Sequence, residues 1–170
     1  MTTRQEFLQE VDNLLGVQKQ VAGTGQLVWQ DGRSNGSKCV KIPLEIGGVQ
    51  YGAQLVVIAY PQEPGRFSLL IVHHIAVCRL DVVEDGEIHG NFQALPADGI
   101  PGLVNGPHFH EWQLNRRLIE GSNRLRKLPL ARPFDQTRNY EAALRWFCAR
   151  TRIDIPYDFD FDLPPRESLF

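Results

Sequence analysis

The middle of the chain carries histidines at a spacing that could do chemistry. His108 and His110 stand in Gly-Pro-His-Phe-His-Glu-Trp, and Arg79 and Asp81 stand in Cys-Arg-Leu-Asp. Side chains at positions i and i+2 of a β-strand point to the same face of the sheet. If both segments are strands, each pair shares a face. The same rule groups His89 with Asn91. These groups are therefore expected to line one polar patch.

Acid–base cleavage of a phosphodiester is one chemistry that fits such a patch. Imidazole titrates near neutral pH, so one ring can accept the proton of a ribose 2′-OH while another protonates the leaving oxygen. We predict His108 or His110 as the base, His89 as the acid, and Arg79 or Arg116 as the group that stabilises the phosphorane charge. This mechanism needs no cofactor.

Two other interpretations of the same residues remain open. Paired imidazoles on one strand can hold Zn²⁺ or Fe²⁺ when a third ligand converges, here His89 or a carboxylate. The histidines could instead be a structural pair, with Arg79 and Asp81 joined in a salt bridge. His73 and His74 are adjacent in a predicted strand, so one is expected to be buried and the other exposed, and neither is given a role.

The net charge of −2 hides a basic block. Residues 116–152 contain ten Lys and Arg against three acids, whereas the segments on either side are acidic. Such a block predicts an anion-binding surface for RNA or another nucleic acid. The alternative is that its arginines pair with the acidic remainder of the chain. The residues that we assign to anion binding are Arg116, Arg117, Arg124, Arg126 and Lys127.

Composition places the chain among ordinary globular proteins. It has 170 residues, of which 42% are hydrophobic and 22% are charged, so one domain over 1–170 is expected rather than a fibre or a disordered chain. The longest apolar run, 67–78, is too short to span a bilayer, and the N-terminus lacks a signal-peptide pattern. Three widely spaced cysteines in apolar surroundings predict reduced, buried thiols and a cytoplasmic location.

The elements that would position the patch follow from hydrophobic periodicity and turn residues. A helix is predicted over 3–15 from its capping box and apolar spacing, and a second over 137–150 capped by Asp135. Strands are predicted at 27–29, 38–46, 51–60, 67–83, 88–92 and 108–112, with a long loop at 94–107 and an ambiguous stretch at 115–126. The fold class is α+β. A curved antiparallel sheet, centred on the runs at 53–60 and 67–78, carries the two helices on one face.

The C-terminal segment 153–170 alternates acidic and aromatic residues as an extended tail. It could be an edge strand protected by aspartates, or a segment that docks on the arginine block or on a protein partner. The second use allows a non-enzymatic inhibitor or adaptor in place of an enzyme.

The order of these motifs resembles a family of uncharacterised bacterial and phage-borne proteins. Its members share Arg-Leu-Asp, His-x-Asn and Pro-His-x-His, which occur here as Arg79-Leu80-Asp81, His89-Gly90-Asn91 and Pro107-His108-Phe109-His110. The resemblance covers about residues 67–155 and includes Trp146-Phe147-Cys148 at the end of the second helix. The motif order is also similar to that of some bacterial nuclease toxin domains, which implies a nuclease role in bacterial or phage conflict.

Overall fold

The architecture is described from a computed structural model. It describes residues 3–23, 27–34, 36–63, 65–121 and 127–164. Three helices are present in these ranges: α1 (Arg4–Gly16), α2 (Trp112–Gly121) and α3 (Tyr140–Arg150). None of them is long and apolar enough to cross a membrane.

The strands form one large sheet and one small hairpin. Their bounds are β1 (Lys19–Val21), β2 (Gln30–Asp31), β3 (Lys38–Ile46), β4 (Val49–Ala59), β5 (Phe67–His73), β6 (Ile75–Val82), β7 (Ile88–Gly90), β8 (Leu103–Asn105), β9 (His108–His110), β10 (Arg132–Pro133) and β11 (Ile153–Asp154). The large sheet has the order β10-β9-β6-β5-β4-β3-β1-β11, with β2 paired to β3. All its pairs are antiparallel except β1 with β11. β7 and β8 form the separate hairpin.

One face of the sheet makes the hydrophobic core. Leu69, Leu80 and Phe109 are cross-strand neighbours on β5, β6 and β9, and all three are buried in the core cluster. The same cluster contains Leu8 of α1 and Leu144 of α3, so both helices cover this face. The opposite face of β6 and β9 is therefore free to carry polar residues.

The predicted α+β fold with helices on a mostly antiparallel sheet is confirmed, and the predicted central runs form β4, β5 and β6. The single strand over 67–83 is wrong, because the chain reverses at His74 and makes two paired strands, β5 and β6. His73 is buried and His74 is exposed, as predicted. The 94–107 segment is more ordered than a loop, since it contains a 3-10 helix at Pro96–Asp98 and strand β8.

Smaller differences have local causes. The predicted strand over 27–29 is displaced to β2, and strand β1 was not predicted. The strand at 108–112 ends at His110, and Trp112 begins α2 within the stretch that the sequence left ambiguous. Helix α3 begins later than expected because Asn139, and not Asp135, accepts the backbone N–H of Ala142 as its N-cap.

The described part of the acidic tail packs against its own chain. Phe159 is buried in the core cluster, and Phe161 lies under the guanidinium of Arg145. The indole N–H of Trp29 donates to the carbonyl of Asp162. All three cysteines are free thiols. Cys78 and Cys148 are buried, whereas Cys39 is only half-buried.

Lys19 is a buried cation whose removal should be costly. Its ammonium donates to the carbonyls of Leu14 and Val17, both at 2.7 Å, and so satisfies the C-terminal end of α1. We expect Lys19→Met to lower the free energy of unfolding by about 2 kcal/mol, because two carbonyls lose a charged donor. Urea unfolding at pH 7 measures the loss. Lys41→Met, at an exposed position of β3, is the matched control and should change little.

The contribution of Lys19 to the stability of the protein should depend on pH. Burial, with the nearby charge of Arg152, lowers the pKa of Lys19 from 10.5 to about 8. Between these values the unfolded chain binds more protons, so the contribution of Lys19 to stability rises with pH. The stability difference between the wild type and Lys19→Met should therefore be larger at about pH 10, near the upper end of this range, than at about pH 7, below it. A smaller difference at high pH would contradict this assignment.

Candidate functional site

Strand register places the predicted polar residues on one face, opposite the core. Asp81 of β6 pairs with Ser68 of β5 on one side and with His108 of β9 on the other. In the next row, Arg79 pairs with His110. Directly paired residues of antiparallel strands point to the same face. The prediction that the i, i+2 pairs converge is thus confirmed for both strands.

The β7–β8 hairpin supplies the third imidazole. His89 lies on β7, which is held in register by the pairing of His89 with Val104 of β8. Its ring centre is 4.8 Å from that of His108 and 4.8 Å from that of His110, while the latter two are 5.2 Å apart. Each ring offers a nitrogen that lies within 4.8 Å of the other two. We call these three residues the histidine triad.

Asp81 is the carboxylate at the centre of the site. It is buried, and its Oδ1 accepts hydrogen bonds from Ser68 Oγ and from Arg79 Nε, the latter at 2.8 Å. Burial on its own raises the pKa of this carboxyl. The neighbouring imidazoles of His108 and His110, with Arg79 and Ser68, outweigh burial and hold the pKa well below its usual range. Asp81 is therefore a carboxylate at neutral pH.

The contacts between Asp81 and the imidazoles are too long for good hydrogen bonds. Asp81 Oδ2 lies 3.4 Å from His108 Nε2 and 3.5 Å from His110 Nε2, whereas N–H···O bonds are typically about 2.7–3.2 Å long. The ring centres of imidazoles on one tetrahedral ion are about 5 Å apart. The ring centres of His89, His108 and His110, at 4.8, 4.8 and 5.2 Å from one another, are close to this separation.

Hydrogen bonds to the backbone decide which nitrogens face inward. His108 Nδ1 is 2.8 Å from the carbonyl oxygen of Gly106, which can only accept, so Nδ1 carries the proton. Nε2 faces the carboxylate of Asp81, a contact that is favourable when the ring is protonated or when a cation lies between the two groups. His89 Nε2 lies 3.4 Å from the carbonyl oxygen of Pro129, a longer contact that does not fix its tautomer.

The three imidazoles differ in their surroundings. His110 Nδ1 is buried without a hydrogen-bond partner among the described residues, which is unusual for a histidine kept for packing alone. The rings also differ electrostatically. Burial, together with the other two imidazoles, lowers the pKa of His89. Burial alone would lower the pKa of His108, but Asp81 and the Gly106 carbonyl outweigh it and raise that pKa.

The triad opens into a pocket of about 560 Å³. Arg79 and Lys127 provide its cationic lining, and Phe92, which is 69% exposed, provides an aromatic surface. Leu128 and Pro129 form the facing wall. A ligand that enters this pocket meets the histidines, two cations and an aromatic ring together.

The wall is fixed by two asparagine side chains. The side-chain oxygen of Asn91 accepts a hydrogen bond from the backbone N–H of Ala131 at 2.7 Å. Its side-chain nitrogen donates to the carbonyls of Ala131 and Pro101. The side chain of Asn115 accepts from the backbone N–H of Leu130 at 2.8 Å and donates to the carbonyl of Leu130 at 2.9 Å. His89 and Asn91, which were expected to share a face, thus both contact the 129–131 segment.

Removal of the Asn91 amide should loosen this wall. We expect Asn91→Ala to lower the free energy of unfolding by about 2 kcal/mol, because buried backbone groups lose their partners. Hydrogen exchange at the Ala131 amide should accelerate at the same time. Asn13→Ala on the exposed face of α1 should stay within about 0.5 kcal/mol. An unchanged hydrogen-exchange rate at the Ala131 amide would show that the hydrogen bonds of Asn91 do not hold this wall in place.

The predicted anion-binding residues are distributed differently. Arg116 Nε is bonded to both oxygens of Asp12, at 2.8 and 3.0 Å, and Arg116 also contacts Glu120. Arg117 lines a different pocket, beside α2. Arg124 and Arg126 lie outside the described residues. Of the five residues assigned to anion binding, the structure brings Lys127 into the histidine pocket.

Most other arginines of the basic block also have acidic partners. The ion pairs are Arg132 with Glu111, Arg138 with Asp85, Arg145 with Glu141 and Arg150 with Glu111. Three of these pairs reach acids outside the block, which favours the interpretation that the block neutralises the acidic remainder of the chain, whereas Arg145 pairs within the block.

The sequence placed Asp81 in the polar patch but gave it no role in catalysis or binding, and it did not indicate Ser68 at all. The only sequence signal for Asp81 was its i, i+2 spacing from Arg79, and Ser68 had none. Comparison of the chain with models of protein families, with curated proteins and with solved structures found no match in any of the three.

Proposed function

We propose that this protein is a zinc-dependent hydrolase of phosphodiesters, with RNA or a nucleotide as substrate. The observation that carries the proposal is the convergence of His89, His108 and His110 beside the carboxylate of Asp81. Three imidazoles with an open side are a common catalytic zinc set. The backbone bond of His108 to Gly106 is the type of second contact that orients a metal-binding histidine.

Different residues of the pocket would bind the metal ion and the substrate. A zinc ion in such a site lowers the pKa of its bound water to about 7 and so supplies hydroxide at neutral pH. His89, His108 and His110 hold the ion, and the charge of Asp81 stabilises it. Arg79 and Lys127 bind the phosphate oxygens and stabilise the charge that develops on them. With zinc bound, the reaction would be hydrolysis, in which hydroxide would form a new P–O bond, the ester P–O bond would break, and the leaving oxygen would take a proton from water.

The substrate class rests on the pocket lining. Guanidinium and ammonium groups favour an anionic ligand, and an exposed aromatic ring favours a flat one. Phe92 at the pocket could stack on a nucleobase, as aromatic residues do in proteins that bind single strands. Arg79 and Lys127 would then hold the adjoining phosphate.

A metal-free ribonuclease is the second candidate. It is favoured by the presence of imidazoles, Arg79 and Lys127 in one pocket, which are the groups that acid–base cleavage needs. In that mechanism no histidine needs to be a ligand, and RNA would be cleaved only through its 2′-OH.

Chelation distinguishes the candidates. Protein purified without chelator is analysed for zinc and assayed on bis(p-nitrophenyl) phosphate and on an RNA oligonucleotide. We expect bound zinc, hydrolysis that is lost after dialysis against a chelator, and recovery on addition of Zn²⁺. RNA cleavage that survives removal of the metal would favour the acid–base enzyme. Absence of hydrolysis with zinc bound would contradict both and favour a binding protein.

A further inference from the structure

A second cluster of metal-ligating side chains lies on the other face of the sheet. Glu10 of α1, His73 at the end of β5 and His74 at the following turn each offer a ligand atom within 4.8 Å of the others. His73 stacks against Phe7 of α1, on the helix-covered face. The cluster shares no residue with the histidine triad.

The turn at His74 is what brings the two imidazoles together. Adjacent side chains of a continuous strand point to opposite faces, yet these ring centres are only 4.6 Å apart. His74 has φ of 61°, in the left-handed region that glycine occupies without strain. A histidine is thus present where glycine would fit better, and strain of this kind often marks a functional position.

The ring of His73 is fixed by its neighbours in a position where it could bind a metal ion. Its ring is buried between Phe7 and Tyr51, with ring centres at 6.3 and 5.9 Å. Its Nε2 lies 3.4 Å from Glu10 Oε2, long for a hydrogen bond and close to the spacing of two ligands on one ion. Its Nδ1 is buried without a hydrogen-bond partner in the described part of the chain. His74 and part of Glu10 are open to solvent, so an ion could enter.

We propose that Glu10, His73 and His74 bind a second zinc ion, which ties α1 to the β5–β6 turn. Two imidazoles and a carboxylate are a donor set that Zn²⁺ accepts, with water in the fourth position. An ion that binds only the folded chain stabilises it by mass action. Occupancy of the site would therefore raise the thermal stability of the protein and hold α1 against the β5–β6 turn.

Zinc titration by calorimetry, with melting temperature as a second readout, tests this proposal. The titration uses a chain that lacks the triad, His108→Ala/His110→Ala, so its result does not depend on the proposed hydrolase. We expect this chain to bind one equivalent of Zn²⁺ and to melt at a higher temperature with it. Addition of Glu10→Gln or His74→Gly should remove both effects, whereas Glu84→Gln, at an exposed position, should not.

His74→Gly makes the test specific. Glycine relieves the backbone strain, so this variant should melt higher than its parent without zinc and should show no further rise with it. If the triad variant does not fold, the same comparison in the wild-type chain should show two bound equivalents falling to one. Unchanged stoichiometry in His74→Gly, or no zinc bound by the triad-deficient chain, would overturn the proposal.

Discussion

Replacement of His108 and His110 by alanine is expected to abolish hydrolysis. The double variant loses two of the three imidazoles that hold the ion. The expected loss in kcat/KM is about 10³-fold or more, because a catalytic ion supplies several kcal/mol of transition-state stabilisation. Rates on bis(p-nitrophenyl) phosphate with added Zn²⁺ measure the effect.

Two controls make this result interpretable. Lys41→Ala, at an exposed position of β3, should keep the wild-type rate. His108→Asn/His110→Asn retains polar side chains in buried positions and guards against a loss that reflects unfolding. Circular dichroism checks the fold of each variant. A folded double variant with more than about a tenth of the wild-type rate would contradict the role given to these residues.

Asp81→Asn is expected to weaken both the site and the fold. The substitution keeps the shape of the side chain but removes the charge that faces Arg79, His108 and His110. Zinc affinity should fall about 10–100-fold, as it does when a partner of metal-binding histidines is lost. The free energy of unfolding should fall by about 2 kcal/mol, since Arg79 loses a buried charged acceptor. Calorimetric titration and urea unfolding measure the two effects.

Asp31→Asn is the matched control for this substitution. Asp31 also pairs with a cation, Lys38 at 2.8 Å, but its side chain is 89% exposed. Exposed ion pairs contribute about 0–1 kcal/mol, so neither stability nor zinc affinity should change appreciably. Equal effects of the two substitutions would show that the position of Asp81 beside the triad is irrelevant.

Much of the site could be predicted because strand periodicity is local information. The i, i+2 spacing was enough to place His108 with His110 and Arg79 with Asp81. What spacing does not give is register, since a slip of one residue moves a side chain to the opposite face. The pairing of Asp81 with His108 and with Ser68 therefore became known only from the fold. For the same reason the central position of Asp81 was not foreseen.

The errors in the fold come from turns without the usual turn residues. Residues 67–83 contain no glycine, proline or asparagine, so nothing local marked the reversal at His74. Strand β9 is only three residues long and is followed almost directly by α2. The segment is therefore too short for the hydrophobic periodicity of a strand or of a helix to be recognised. The approach of Lys127 and Pro129 to the triad depends on contacts made by Asn91 and Asn115, which are distant in sequence.

X-ray absorption at the zinc K-edge tests the zinc centre most directly. The sample is the Glu10→Gln/His74→Gly chain loaded with one equivalent of Zn²⁺, so that only the triad can hold the ion. The expected spectrum shows a four-coordinate ion with nitrogen or oxygen ligands at about 2.0–2.1 Å and the outer-shell scattering of three imidazoles. A hydrated ion without imidazole scattering, or an ion bound equally well after His108→Ala/His110→Ala is added to this same chain, would contradict a zinc centre at His89, His108 and His110.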